Sequence, residues 1–349
     1  MKIIRVNNFW QNLPRPFFVL APMADVTDVA FRRIIAKYGK PDVTWTEFVS
    51  ADGLVLAPEA GRKKLLKDLE YDESERPIVA QLFSSRPENM EKAARLCLKL
   101  GFDGVDINMG CPDRAIERQG CGSAMIKNPE LAKEIILAAK RGASDGSKSI
   151  PVSVKTRLGY NKDELETWLP HILSAEPAVV TIHARTRKEM SLVPARWERV
   201  KRAVEIRNEL GSKTLIVGNG DALDLLDAMN KARETGADGV MLGRAIFGNP
   251  WLFDDLTRLR SHPLLIKERG GKSDGVRRIP LEERLRVMLE HSKLFEKYLG
   301  GIKNFAIMKK HFKSYVGDIP NAKDLRMKLM DTNNADEVEK VIEEFMRWG

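Results

Sequence analysis

The chain has few cysteines and lacks a long hydrophobic run, and each shortage excludes a class of protein. Three cysteines, at positions 97, 111 and 121, are too few for a disulfide framework in 349 residues. Their spacing lacks the close pairs and accompanying histidines of a zinc site. The first residues lack the apolar region of a secretory signal, and no later run approaches the roughly 18 apolar residues of a membrane span. We therefore expect a soluble protein of the reducing cytoplasm.

Acidic residues are also outnumbered, and two familiar nucleotide motifs are missing. The chain has 49 aspartates and glutamates against 58 lysines and arginines, which makes the net charge +9. This balance favours a polyanionic partner such as nucleic acid, although a basic surface can serve solubility alone. The absence of a complete Walker A or GxGxxG pattern argues against a P-loop nucleotide site and a Rossmann dinucleotide fold.

Short β-branched runs alternate with helix-like segments as far as about residue 258. The predicted strands lie at 17–20, 43–48, 78–83, 104–109, 152–157, 179–183, 215–218 and 239–242. The helix-like segments include 28–38, 87–100, 129–140, 221–235 and 250–259. Eight βα units of this size predict an α/β protein with a (β/α)8 TIM barrel, and a doubly wound sheet is the alternative.

Side chains suited to ligand contact stand at or just beyond the carboxyl end of each predicted strand. In chain order they are Met23, Glu47, Gln81, Asn108 with Cys111, Lys155 with Arg157, His183 with Arg185, Asn219-Gly220-Asp221, and Gly243-Arg244. One polar strand end is ordinary. A barrel, however, gathers all eight ends around one mouth, where enzymes of this fold place their active sites. The set as a whole therefore predicts a site.

The segment Asp-Ile-Asn-Met-Gly-Cys-Pro at 106–112 is the most distinctive of these strand ends. Gly110 is expected to permit a backbone conformation that other residues resist, and Pro112 prevents the strand from continuing. The Cys111 thiol is thereby held on a rigid turn. Taken alone, a free cysteine is more often a small buried hydrophobe than a catalyst. A thiol with a pKa of about 8.5 is mostly protonated at neutral pH and can act as a general acid.

The last two strand ends carry the features of a phosphate site. Residues 218–221, Gly-Asn-Gly-Asp, and residues 243–244, Gly-Arg, present small side chains and backbone amides at the start of a helix. Barrels bind phosphate in this way after their seventh and eighth strands. Glycines that merely cap strands are the alternative for either loop alone. Together the loops favour a mononucleotide cofactor such as FMN.

Beyond residue 258 the pattern changes. Residues 259–280 predict a linker, and helices are predicted near 281–300, 304–316, 322–330 and 336–347. The predicted domains are a barrel over 1–258 and a small helical bundle over 281–349. Residues 303–313 contain no acidic residue, and three lysines there fall within one turn of helix. Such a run is usually a solvated face, and contact with the phosphates of a nucleic acid is the alternative.

Ordered motifs along nearly the whole chain resemble the flavin-dependent tRNA-dihydrouridine synthase family. They lie at 20–32, 106–112, 122–124, 154–159, 181–187, 218–221, 239–245 and 248–251, and the basic segment 308–315 resembles a helix that these enzymes carry. The resemblance implies that reduced FMN delivers a hydride to carbon 6 of a uracil in tRNA. It further implies that a cysteine donates a proton to carbon 5 and that NADPH, or NADH, supplies the electrons.

The same resemblance implies roles for single residues. Cys111 is then the proton donor, and Asn108 orients the uracil. The expected cofactor-binding residues are Ala21, Pro22, Met23, Gln81, Lys155, His183, Asn219, Gly220, Asp221, Gly243 and Arg244. The expected substrate-binding residues are Asn108, Arg157, Arg185, Arg187, Lys309, Lys310 and Lys313. We expect tRNA as the partner of a monomer, without a metal, a membrane or a protein partner.

Two features depart from the family pattern. Residues 188–197 read Lys-Glu-Met-Ser-Leu-Val-Pro-Ala-Arg-Trp, where relatives commonly carry a glycine and an acidic residue ahead of the tryptophan. Cys121 stands ten residues after Cys111, where a packing role is the simpler interpretation.

Two other functions are considered. One is a flavin oxidoreductase of small pyrimidines, similar to dihydroorotate dehydrogenase, which the basic C-terminal helices argue against. The other is a non-catalytic tRNA-binding protein on the same scaffold. The residues that argue against this second function are Asn108, Cys111, Lys155 and His183.

Overall fold

The part of the chain that the structure describes forms two compact units. The computed structural model describes residues 5–6, 8–261, 279–317 and 322–348. Contacts group the chain into unit 1, residues 1–23 and 42–243, and unit 2, residues 24–41 and 244–349. Among the described residues, no helix is both long enough and apolar enough to cross a membrane.

Eight parallel strands form the barrel of unit 1. They are β1 (Phe17–Leu20), β2 (Thr44–Trp45), β3 (Ile78–Phe83), β4 (Gly104–Met109), β5 (Val152–Arg157), β6 (Val179–His183), β7 (Leu215–Asn219) and β8 (Gly239–Leu242). Each strand from β2 onward pairs with the next, and β8 pairs with β1. A parallel bridge between Val19 and Val43 closes the ring. The predicted TIM barrel is confirmed, and the doubly wound alternative is wrong.

Strand bounds follow the predictions closely, with two differences. Strand β7 extends one residue further, to Asn219, and the predicted strand at 43–48 is reduced to Thr44–Trp45. A separate two-residue strand, Val49–Ser50, pairs with the end of β3. Outside the barrel, Arg5–Val6 pairs in parallel with Lys148–Ser149.

Helices alternate with the strands of unit 1. They are Ala51–Leu56, Glu59–Asp68, Pro87–Lys99, Arg114–Glu117, Pro129–Gly142, Leu165–Leu173, Trp197–Glu209 and Leu225–Thr235, with 3-10 helices at Phe9–Asn12, Glu73–Glu75 and Gly122–Lys127. Local sequence explains several of their ends. Pro87 and Pro129 occupy first helical positions, where the missing N–H has no intrahelical partner to lose. The Asp224 carboxylate caps its helix by accepting the N–H of Asp227 at 2.8 Å, and left-handed Gly236 ends that helix.

An aromatic cluster fills the amino-terminal end of the barrel. Trp10 is 1% exposed, and its ring centre lies 5.5 Å from that of Phe17 and 5.7 Å from that of Trp45. Val179 and Leu215, the first residues of their strands, belong to the same buried cluster. Each aromatic pair contributes about 1 kcal/mol beyond the area it buries. This end of the barrel is thus an apolar core, which leaves the carboxyl end for polar groups.

Unit 2 is helical. Its helices are Val29–Tyr38, Leu256–Ser261, Leu281–Leu299, Met308–Tyr315, Lys323–Asp331 and Ala335–Trp348, with 3-10 helices at Arg244–Ile246 and Phe305–Ile307. The four helices predicted after residue 280 are present. Of the predicted helix at 250–259, residues 250–255 form turns instead. Within the predicted linker, residues 259–261 are helical and 262–278 lie outside the described residues.

The helix Val29–Tyr38 joins unit 2 although it precedes β2 in the chain. Its Lys37 ammonium contacts the Glu290 carboxylate at 2.6 Å, and Arg33 donates to the Tyr298 hydroxyl at 2.8 Å. The helix also buries Phe31, Ile34 and Ile35, together with Arg32. Contacts therefore add residues 24–41 and those from 244 onward to the C-terminal helices, whereas the predicted helical domain begins at 281.

Two histidines are buried against each other within unit 2. The rings of His291 and His311 are fully buried, with centres 4.6 Å apart, and both pack on Phe31. Their ring nitrogens have no hydrogen-bond partner among the described residues. Desolvation lowers the pKa of His311 to about 3, assisted by the charge of Lys310. Desolvation and the neighbouring His311 also lower the pKa of His291. Both rings are therefore neutral in the folded protein at neutral pH.

Because His291 and His311 are buried in the neutral form, we expect the free energy of unfolding to fall in acid. The unfolded chain protonates His311 near its ordinary pKa of 6.5, whereas the folded chain does so only near 3. The unfolded state therefore binds more protons between these values, and the free energy of unfolding falls by about 1.4 kcal/mol per pH unit for each such histidine. Urea denaturation at pH 7 and pH 5 should show a smaller acid loss for His311→Leu than for the wild type.

The matched control is His171→Leu in unit 1, because the side chain of His171 is 43% exposed. This variant should keep the wild-type dependence on pH. Equal acid losses in the wild type and in His311→Leu would contradict the assignment.

Candidate active site

The turn after β4 is organised by the side chain of Asn108. Its Oδ1 accepts hydrogen bonds from the backbone N–H of Gly110 at 3.1 Å and of Cys111 at 2.9 Å. Asn108 is 7% exposed, so these bonds lie in a largely dry environment where they gain strength. One side chain thus shapes the turn that presents the predicted proton donor.

Gly110 is needed at this turn for close packing rather than for an unusual backbone angle. Gly110 is not in the left-handed region, contrary to the expectation from sequence. A Cβ at Gly110 would instead lie 3.3 Å from backbone atoms of Thr156 on the neighbouring strand. Gly122 does have a left-handed φ of +60°, and a Cβ there would lie 2.6 Å from the Cys111 carbonyl oxygen. Two glycines therefore allow the Cys111 turn to pack tightly on both sides.

The Cys111 thiol is half-buried, and Ser123 holds the backbone of its turn. Its backbone carbonyl accepts the N–H of Ser123 at 2.9 Å, and the Ser123 hydroxyl lies at the same distance. The side chain packs against an apolar cluster that includes Ile116 and Cys121. Desolvation raises the pKa of Cys111 above its ordinary value, although the charge of Lys155 acts in the opposite direction. The thiol is therefore protonated at neutral pH, as a general acid must be.

A line of hydrogen bonds connects the same turn to the barrel interior. Asn108 Nδ2 donates to Gln81 Oε1 at 3.2 Å, and Gln81 Nε2 donates to Asp106 Oδ2 at 2.7 Å. The other carboxylate oxygen accepts from the Ser153 hydroxyl at 2.6 Å. Asp106 is 1% exposed. Desolvation raises its pKa to about 6, while its bonds with Ser153 and Gln81 limit the rise. Asp106 is thus mainly ionised at neutral pH.

Lys155 brings a positive charge to this part of the barrel. It pairs in register with Asn108 across β4 and β5. Part of its surface is exposed, yet protein surrounds it closely enough for desolvation to lower its pKa to about 8. Arg157 lowers the pKa further, and Asp106 and Cys111 oppose the shift. Lys155 is therefore cationic at pH 7 and close to its titration range.

The three predicted substrate arginines of unit 1 already bind protein groups. Arg157 donates to the carbonyls of Gly110 at 2.7 Å and Thr186 at 3.1 Å. Arg185 is ion-paired with Asp221, and Arg187 with Glu117. The structure places these side chains as anchors of the loops at the barrel mouth. Substrate contact by any of them stays a prediction.

The side chains at the ends of β6 and β7 also bind protein groups. His183 Nε2 lies 3.2 Å from Arg185 Nη1, and Asn219 Nδ2 donates to the carbonyl of Met241 on β8 at 2.8 Å. Gly220 has a φ of +127°, and a Cβ there would lie 2.8 Å from that of Ala195. The predicted phosphate-loop residues thus make contacts that order their loops.

Small residues leave room beside the ends of β8 and β1. A Cβ on Gly243 would make only ordinary contacts, 3.7 Å from Ala21 Cβ and 3.8 Å from Met23 Sδ. Pro22 lies between these last two residues and is partly exposed. Gly243 therefore leaves space for a methyl group beside Ala21 and Met23.

The remaining predicted residues belong to unit 2. Arg244 is exposed and begins the 3-10 helix Arg244–Ile246. On the helix Met308–Tyr315, Lys310 and Lys313 are exposed and Lys309 is half-buried.

Comparison with known proteins agrees with the sequence resemblance. The family described as Dihydrouridine synthase (Dus) matches residues 19–347. The chain belongs to the dihydrouridine synthase family. A Staphylococcus aureus (strain COL) protein named "Probable tRNA-dihydrouridine synthase" is 39% identical over 340 residues, which cover 97% of this chain and 95% of that protein. A Bacillus subtilis (strain 168) protein named "Probable tRNA-dihydrouridine synthase 2" is 40% identical over 342 residues, which cover 97% of each.

Solved structures share the fold of this dihydrouridine synthase at low sequence identity. A 2-naphthoyl-CoA reductase matches with a TM-score of 0.52 at 13% identity, over 69% of this chain and 50% of that one. Histamine dehydrogenase from Rhizobium sp. 4-9 matches with a TM-score of 0.52 at 14% identity, over 79% of this chain and 48% of that one. The match thus spans about half of each larger protein and supports the barrel architecture alone.

Sequence reasoning missed several residues that shape the site of this family member. Asp106 had a detectable signal, because strand alternation places it on the same face as Asn108 and a carboxylate in a buried strand needs partners. Ser123 lies in the motif 122–124, to which no role was assigned, and Glu117 had no signal. Their roles arise because Glu117 accepts from the Ser123 hydroxyl at 2.8 Å and pairs with Arg187, which is distant in the chain. Among the described residues, no cluster of three or more histidine, cysteine or acidic side chains could hold a metal.

The state of the Cys111 thiol can be tested by alkylation. We expect its rate constant with iodoacetamide to rise with pH and to reach half its maximum above the pKa of an ordinary thiol, because burial disfavours the thiolate. Mass spectrometry of the Cys111 peptide across pH 6–10 measures this. Cys97 and Cys121 are fully buried and should be alkylated only in urea, which makes them internal controls. A midpoint below pH 7 would identify an activated nucleophile instead.

Proposed function

We propose that this protein reduces the C5=C6 bond of uridines in tRNA, with FMN as the resident cofactor and NADPH or NADH as the source of electrons. The observation that carries the proposal is the half-buried, protonated Cys111 thiol on a turn shaped by Asn108. Family membership and the names of the curated relatives support the substrate and the reaction. The free state of all three cysteines suits the reducing cytoplasm, where we propose that the protein acts as a monomer.

The residues at the barrel mouth fit a flavin. Gly243 places no side chain beside Ala21 and Met23. Lys155, cationic at neutral pH, suits the negative charge of a reduced flavin ring. The residues of unit 1 that we propose to hold FMN are Ala21, Pro22, Met23, Gln81, Lys155, His183, Asn219, Gly220, Asp221 and Gly243. When bound, FMN supplies the hydride that carbon 6 of the uracil receives.

The chain's own residues then position the base and supply the proton. Asn108 uses Oδ1 on the turn and one Nδ2 hydrogen on Gln81, so its second Nδ2 hydrogen can donate to a uracil carbonyl. The Cys111 Sγ–H bond breaks as the proton moves to carbon 5. The thiolate that remains is stabilised by the positive charges of Lys155 and Arg157, both of which lower the thiol pKa.

Cys111→Ala tests the assigned proton donor. We expect the variant to keep its yellow colour and its affinity for tRNA while turnover falls at least about a hundredfold, the usual contribution of a general acid. Cys121→Ala removes a nearby thiol and should retain turnover. Measuring bound flavin, tRNA affinity and dihydrouridine formation distinguishes a catalytic role of Cys111 from a structural one. Loss of flavin from Cys111→Ala would show that the residue is structural.

We also propose that unit 2 contributes to tRNA binding through the helix Met308–Tyr315. One side of this helix is buried, at Met308, His311, Phe312 and Tyr315. The other side presents the three predicted lysines, of which Lys310 and Lys313 are exposed. Asp25 lies 3.9 Å from the Lys310 ammonium and offsets part of its charge. Basic side chains on one side of an anchored helix suit contacts with phosphates.

Replacing Lys309, Lys310 and Lys313 together by alanine should weaken tRNA binding. The slope of log affinity against log salt should fall by about 0.7–0.9 for each phosphate contact that is lost. The matched control replaces three exposed lysines elsewhere in unit 2, at positions 323, 328 and 340, and changes the net charge equally. Filter binding at several salt concentrations compares the two variants. The same slope in both would remove the phosphate role.

A further inference from the structure

The carboxylate of Asp106 on β4 fixes one end of a chain of hydrogen bonds that leads to the Cys111 turn. Asp106 pairs in register with Gln81 on β3 and with Ser153 on β5, and both of these side chains donate to it. An ionised carboxylate can only accept. At the far end of the chain, the backbone N–H groups of Gly110 and Cys111 can only donate.

These two ends determine how the intervening amides are oriented. Gln81 must turn Nε2 toward the carboxylate, which leaves Oε1 for Asn108. Asn108 must then turn Nδ2 toward Gln81, which leaves Oδ1 for the Cys111 turn. Reversing either amide would bring two donors or two acceptors together in a buried place, at a large cost.

We propose that Asp106 is a positioning residue, whose carboxylate orients Gln81 and Asn108 and thereby holds the Cys111 turn in its productive form. The inference rests on the proposed function, because Cys111 and Asn108 are assigned there as proton donor and base-orienting residue. Asp106 does not touch the uracil. It acts by leaving one Asn108 N–H free for the base and by keeping the Cys111 turn closed.

Ser153 allows Gln81 and Asn108 to keep this orientation when Asp106 is protonated at acid pH. The Ser153 hydroxyl lies 2.6 Å from Asp106 and 3.4 Å from the Val105 carbonyl. When Asp106 takes up a proton, the hydroxyl can rotate to donate to Val105 and accept from the new O–H group. The proton therefore stays on the Ser153 side, and Gln81 keeps its orientation. Lys155 is the charged group that acts on Asp106 from the neighbouring strand.

The first test compares two replacements of Asp106. Asp106→Leu removes the acceptor, so we expect kcat to fall at least tenfold with little change in the KM for tRNA. Asp106→Asn can turn its oxygen to Gln81 and its amide nitrogen to Ser153, so kcat should stay within about threefold of the wild type. Alkylation of Cys111 at high pH should be at least fivefold faster in Asp106→Leu, because the turn is no longer held.

The matched control is Asp238→Asn. Asp238 is also a buried aspartate of unit 1, and it accepts from Arg207 and from the Ile216 N–H at the amino-terminal end of the barrel. This variant should lose stability and keep kcat. If Asp106→Leu does not fold, the pH profiles of kcat for Asp106→Asn and Ser153→Ala still test the inference.

The second test is the pH profile of Ser153→Ala. Without the hydroxyl, a proton on Asp106 has Gln81 as its acceptor. Gln81 must then turn its oxygen toward Asp106, and this reverses the orientation of both amides in the chain. We expect kcat of this variant to fall at acid pH with a midpoint above 6, because the lost bond no longer lowers the carboxyl pKa. The kcat of the wild type and of the double variant Asp106→Asn/Ser153→Ala should not fall in this way at acid pH. Neither protein places a proton where it would reverse the orientation of Gln81.

Identical pH profiles in Ser153→Ala and the wild type would overturn the inference, as would full kcat in a folded Asp106→Leu variant. Either result leaves the proposed function intact as long as Cys111→Ala loses turnover. If Cys111→Ala instead retains turnover, the proposed function itself fails.

Discussion

The closed ring of eight parallel strands is the constraint on which the site depends. Because every strand runs in the same direction, all carboxyl ends meet at one mouth and all amino ends at the other. Aromatic residues fill the amino-terminal end around Trp10. The polar side chains proposed for the site stand near or beyond the carboxyl ends of the strands, and Asp106 inside the ring is hydrogen-bonded by Gln81 and Ser153 from the neighbouring strands. Closure thus separates the stabilising core from the chemistry.

Burial then requires that each polar group near the mouth has a partner, and the partners come from adjacent strands. Asp106, Gln81 and Ser153 are paired in register on three consecutive strands of the ring. Their hydrogen bonds extend through Asn108 to the Cys111 turn. Low polarity around this network explains why desolvation dominates the pKa shifts of Asp106, Lys155 and Cys111. A protonated thiol beside a cationic lysine is the chemical result.

Much of the barrel could be predicted because its signal is local. Runs of β-branched residues, each ending in polar or small residues, indicated the number and order of the strands. Other features depend on contacts that no local pattern contains. The helix Val29–Tyr38 resembles any barrel helix in sequence, yet contacts group it with the C-terminal helices. Gly110 looked like a residue needed for its backbone angle, whereas the close approach of Thr156 explains it.

The sequence by itself determined which strands form, which residues end them and which side chains could perform the chemistry, because these follow from neighbours within a few positions. Only the tertiary structure decided what each polar side chain binds. Gln81 and Asp106 are 25 residues apart, and Asp106 and Ser153 are 47 apart. Their pairing depends on strand register, which is set by packing of the whole barrel rather than by any one segment. The orientation of the amides that hold Cys111 follows from that register.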